Sequence, residues 1–158
     1  MTVAALLGPF QFLRSYRNRY PRVHRVTSRT YLVGTLVGGL SGLYLAPYSA
    51  SGVVSHVGLV LLAVGVLFTS ATAYLRIRGG EVKSHREWMT RGYALIFAAV
   101  TLRLYMRFLE ALRSEYNGYA LVAWACWVPS LLVAERMIRD QLRARTERPL
   151  EAIAAQLR

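Results

Sequence analysis

Four apolar runs divide the chain. From Thr30 to Leu75 no Asp, Glu, Lys or Arg occurs, which is long enough for two membrane spans of about 20 residues each and a turn. The turn is PYSASG, Pro47 to Gly52, where Pro, Ser and Gly interrupt a Leu/Val/Gly-rich stretch. A third run goes from Gly92 to about Leu109 with Arg103 and Arg107 inside it, and a fourth, uncharged, from Tyr116 to Ala134. The pattern predicts an all-α fold, an integral membrane bundle of four transmembrane helices at about 31–48, 53–75, 91–110 and 116–135, within a single domain 1–158. Residues 2–13 are apolar but too short to span and contain Pro9; they read as a short helix at the membrane. In the tail 136–158, the stretch ERMIRDQLRARTER reads as a solvated helix that continues the last span and is stopped by Pro149, and Pro129 is expected to bend the fourth span.

Charge orients this arrangement. The formal net charge is +12 on a chain of 158 residues that is 54% apolar, and the basic residues are segregated rather than spread over a surface. Six arginines from Arg14 to Arg29 precede the first span, Arg76, Arg78, Lys83, Arg86 and Arg91 lie between the second and third, and Arg136 to Arg148 follow the fourth. Lys and Arg beside span ends are retained in the cytoplasm, so all three clusters, and the C-terminus, are expected there. The same charge favours anionic lipid head groups; membrane lipids are the expected partners, and nucleic acid is not required.

The two basic approaches resemble each other. His24-Arg25 corresponds to His85-Arg86, Arg29 to Arg91 and Tyr31 to Tyr93, so the bundle reads as two parallel-repeated hairpins related by an axis along the membrane normal. In the first span Gly34, Gly38 and Gly42 form a small-residue stripe for helix packing, because lipid supplies no hydrophobic drive and close backbone approach must supply contact. The stretches GPFQFLRSYRNRYPRVHR, RTYLVGTLVGGLSGLYLA and AYLRIRGGEVKSHREWMTRGYALIFAAVTLRLY, within residues 8–107, resemble a bacterial family of predicted multi-span membrane proteins catalogued as a domain of unknown function. The specific features are the Pro-x-x-His-Arg approach to the first span and His-Arg-x-Trp-Met-x-Arg before the third. The resemblance implies a multi-pass protein of the bacterial cytoplasmic (inner) membrane and supplies no reaction.

Candidate chemistry is confined to few residues. None of the three histidines, His24, His56 and His85, has a zinc-motif spacing. His24 and His85 fall at the basic boundary on opposite sides of the expected repeat axis, as an axial pair for haem b would, with arginines for its propionates. The alternative is that Arg25, Arg29, Arg86, Trp88 and Arg91 anchor helix ends among phosphates. A second constellation is deeper: Arg103, about 18 Å along a helix from Arg91, needs a partner at that depth, and Arg107, Glu110 and His56 are the neighbours expected for it. A quinone, an anionic lipid or a haem propionate would complete such a site. Every acidic residue lies outside or at the edge of a span, and no Ser-His-Asp set or nucleotide loop is present, so an enzyme is not read. Two functions remain: a module binding an anionic or redox-active amphiphile, and a structural or accessory subunit of a larger complex or homo-oligomer.

Overall fold

The computed structural model describes residues 21–48, 52–111 and 118–156. The expected N-terminal helix at 2–13 lies outside them. Among the described residues there are helices and no strand: α1 (Pro21–Leu45), a 3-10 turn (Ala46–Tyr48), α2 (Gly52–Arg78), α3 (Val82–Ala111), α4 (Gly118–Ala125) and α5 (Val128–Gln156). Among the described residues three stretches are long and apolar enough to cross a membrane, Gly52–Arg78, Val82–Glu110 and Tyr119–Ala144. The helix holding the expected first span packs beside them, its apolar character diluted by Gly, Thr and Ser.

The centre of the bundle is α2, whose largest interface is with α3, followed by α1 and α4. Its buried positions are almost all small: Ser55, Gly58, Ala63, Thr69, Ser70 and Ala73 beside Val66. Small side chains let neighbouring backbones approach, which is how helices gain van der Waals contact in a medium as apolar as themselves. Each neighbour uses one such approach. A Cβ on Gly39 of α1 would stand 2.6 Å from Leu67 Cδ2, one on Gly65 3.1 Å from Leu95 Cδ1 of α3, and one on Gly58 3.0 Å from the Trp124 indole nitrogen of α4. Where α1, α2 and α3 meet, Tyr31, Val66, Leu95 and Ile96 form the apolar core.

The α1–α2 seam is displaced from the glycine stripe expected for it. Buried positions of α1 are Tyr31, Thr35 and Gly39, while Gly34, Gly38 and Gly42 are half-buried. Gly42 faces Ala63 at ordinary contact distance, 3.5 Å from its would-be Cβ to the Ala63 Cβ. The tight approach is therefore at Gly39, part of the i, i+4, i+8 series from Tyr31.

Two joints fix the relative placement of the helices. The α2–α3 hairpin closes in a Schellman turn, with Gly80 N–H donating to Ile77 O at 3.1 Å and Glu81 N–H to Arg76 O at 2.9 Å. Gly80 adopts φ +79 there, a conformation that a side chain disfavours and glycine does not. The Arg76 guanidinium donates to both Glu81 carboxylate oxygens at 2.8 and 3.0 Å across the same turn.

The other joint is the break at Cys126 and Trp127 between α4 and α5. Pro129, which has no N–H, cannot continue the hydrogen-bond ladder past that point. The expected bend is therefore an interruption of the helix just before the proline. The Thr101 hydroxyl of α3 donates to the Cys126 carbonyl at 2.7 Å, satisfying a group that hydrocarbon would leave bare. Most other threonine hydroxyls bond a carbonyl four residues back in their own helix, as Thr35 does to Tyr31 at 2.8 Å.

Beyond the break, α5 runs through Pro149 to Gln156. The expected stop at Pro149 is not observed: a proline deletes one backbone donor, and the turns on either side keep theirs.

Candidate functional site

The histidines expected to precede the spans lie on the helices themselves. His24 is in the first turn of α1 and His85 in the first turn of α3, because a helical backbone satisfies its own hydrogen bonds equally well on either side of the membrane boundary. Both α1 and α3 run away from this end, and α2 runs back toward it between them. The two outer helices make few direct contacts with each other, so a wedge opens between their first turns.

That wedge is a cavity of about 970 Å³, at the upper end of the roughly 300–1,000 Å³ typical of ligand pockets. His24, Arg25, Ser28, Arg29, Leu32 and Val33 form one wall on α1. Val82, His85, Arg86 and Met89 form the other on α3, at i, i+3, i+4 and i+7, the spacing of a single helix face. Tyr74 and Ile77 of α2 close the back. The cavity thus has an apolar body and a cationic mouth, and among the described residues no carboxylate lines it.

His85 is held firmly. Its Nδ1 lies 2.7 Å from the Ala73 carbonyl of α2. A carbonyl only accepts, so Nδ1 carries the proton and Nε2 of the neutral ring keeps its lone pair. The Schellman turn sets this register, since it brings Ala73 and His85 level across the hairpin. Tyr31, only 1% exposed, also borders the cavity, and its hydroxyl has no hydrogen-bond partner among the described residues.

Two other expected anchors do something more specific than meet phosphates. The Arg91 guanidinium donates to both carboxylate oxygens of Glu135 on α5, at 2.5 and 3.2 Å, and stacks 4.8 Å from the centre of the Trp88 ring. Trp88 in turn meets Phe68 of α2 edge-to-face at 5.6 Å. This cluster ties α5 to α3 and α2 beside the cavity. It also brings the basic start of the C-terminal tail to the same end of the bundle as Arg25, Arg29, Arg76 and Arg86.

The deeper residues lie apart from this cavity. Arg103 lies on the α3 stripe of Gly92, Ile96 and Ala99 but is exposed, and its Nη1 donates to the Ala99 carbonyl of its own helix at 2.8 Å. Arg107 pairs with Glu110 at 3.5 Å with both side chains exposed. His56 is half-buried on α2, and none of the three borders the cavity. The residues that sequence reasoning missed are Glu135, Ala73 and the Tyr31 hydroxyl. Only Glu135 carried a signal, as an acid one position beyond an uncharged run.

A chain whose described residues are helical, with three apolar spans among them and a basic end, is a polytopic membrane protein. It belongs to the family described as "Predicted membrane protein (DUF2306)", which matches residues 1–138. No curated protein and no solved structure shows a significant match to the chain.

Proposed function

We propose that this protein is a multi-pass binding module of the bacterial cytoplasmic membrane that holds an anionic amphiphile between α1 and α3. The observation that carries this reading is the cavity itself: an apolar interior with Arg25, Arg29 and Arg86 in its wall and no carboxylate among the described residues that line it. Basic pockets between helices at the cytoplasmic face suit anionic head groups, whose tails then lie along apolar side chains. In this reading α1 is a fourth span, the two hairpins are parallel repeats, and the arginine-rich end faces the cytoplasm. Impermeant thiol reagents applied to intact cells, with Cys126→Ala as background, test the orientation. Lys83→Cys should stay protected and Tyr48→Cys should be labelled; the reverse pattern inverts the topology.

The binding reading is tested by extraction. Purified protein should carry an anionic or carboxylated amphiphile at near-unit stoichiometry by mass spectrometry. Arg29→Gln combined with Arg86→Gln should lower that occupancy about tenfold or more, as expected when two charge-assisted contacts of about 1 kcal/mol each are lost. Unchanged occupancy in a folded double variant would sink the reading.

A further inference from the structure

The cavity contains more chemistry than an anionic head group requires. A lipid phosphate and a quinone carbonyl both accept hydrogen bonds, so either would ask its imidazole neighbours for a donor. In its neutral form His85 presents the opposite: its one donor is committed to the Ala73 carbonyl at 2.7 Å, and the other ring nitrogen of that form has a lone pair. Metal-bound histidines show this arrangement, with one ring N–H given to a backbone carbonyl so that tautomer and orientation are fixed before the metal arrives. The second histidine of the cavity, His24, is on the facing helix. No acidic or cysteine ligand accompanies them, since no group of three or more His, Cys, Asp or Glu side chains gathers anywhere among the described residues. Two imidazoles alone are a poor site for a bare ion and a complete axial set for a metal that brings its own equatorial ligands.

We propose that the amphiphile is a b-type haem, its iron bound on one side by Nε2 of His85 and on the other by His24. The proposal rests on the amphiphile reading and sharpens it. The apolar macrocycle would lie against Leu32, Ile77 and Met89, and the two propionates would meet Arg25 and Arg29 of the α1 wall. The volume of about 970 Å³ admits a tetrapyrrole. Ser28 and the Tyr31 hydroxyl, both on the α1 wall, are further polar groups beside it.

Haemin titrated into the protein in nanodiscs, followed by absorption spectroscopy, tests the assignment. Binding should saturate at one haem per chain with the spectrum of a six-coordinate low-spin complex, both oxidised and after reduction with dithionite. His24→Ala and His85→Ala should each lose that spectrum, giving a five-coordinate form or at least a tenfold weaker complex. Added imidazole should restore six-coordination to His85→Gly, which separates a lost ligand from a lost fold. Circular dichroism and gel-filtration profiles keep misfolded variants out of the comparison. Identical haemin spectra in wild type and both alanine variants, or binding no stronger than to empty nanodiscs, would overturn the assignment. If haemin fails while an anionic phospholipid is retained by wild type and lost from the Arg29→Gln/Arg86→Gln protein, the haem assignment falls and the amphiphile reading stands. If neither is retained, both fall.

Discussion

Glu135→Leu is expected to destabilise the bundle by about 2–3 kcal/mol, the larger of the single-residue effects drawn from this fold. The carboxylate receives two hydrogen bonds from Arg91, at 2.5 and 3.2 Å, across helices α3 and α5. The side chains are 21% and 30% exposed, so water offsets part of the roughly 3–5 kcal/mol lost when one partner of a fully buried pair is removed. What remains after the substitution is an arginine that keeps the Trp88 ring but has lost its carboxylate, at the edge of an apolar medium. Arg91→Leu should cost less, because Arg139, four residues along α5, still lies near the glutamate. The double replacement should recover much of either loss, because two leucines leave no unpaired charge. Thermal unfolding of the four proteins in one detergent closes the cycle. Additive single losses would mean that the pair contributes nothing as a pair.

Gly39→Leu should separate α1 from α2 and cost about 1–3 kcal/mol, as overpacking does where neighbours cannot retreat. The first added carbon already stands 2.6 and 2.7 Å from Leu67 Cδ2 and Cγ. Leu67 can turn aside for a methyl group, so Gly39→Ala should cost less. A larger side chain must push the helices apart. Because α1 supplies one wall of the cavity, Gly39→Leu should also lower amphiphile occupancy, whereas Glu135→Leu acts from the α5 side. Melting temperature and bound amphiphile, measured on the same preparations, check both consequences. A Gly39→Leu protein as stable as its parent would remove the close α1–α2 approach from the account.

The apolar elements were legible in the sequence because a membrane leaves few alternatives: long uncharged runs must be helical, and Pro47 and Gly52 mark where they turn. The interior of the bundle was less legible. The glycine spacing at Gly34, Gly38 and Gly42 drew attention to one stripe, yet the tight contact is at Gly39. A helix with so many small residues offers several equivalent stripes, and only the partner's Leu67 selects among them. The pairing of Arg91 with Glu135 was invisible for a related reason: the residues are 44 positions apart, and nothing local announces the contact. His24 and His85 were found because their sequence contexts match. Their share in a single cavity depends on α2 holding α1 and α3 apart, which no short motif encodes. The deep Arg103 read as the focus of a site because its cost in hydrocarbon is high. The bundle instead turns its guanidinium onto the Ala99 carbonyl of its own helix.

Whether the wedge between α1 and α3 holds one defined amphiphile is settled most directly by photo-crosslinking from inside it. A photoreactive amino acid at Leu32, on the cavity wall, is compared with the same residue at Leu40, exposed farther along α1. Intact-mass spectrometry after illumination in native membranes should show a single adduct mass at position 32, absent from position 40 and lost when Arg29→Gln and Arg86→Gln are added. The same spread of bulk-lipid adducts at both positions, insensitive to the arginines, would contradict the account.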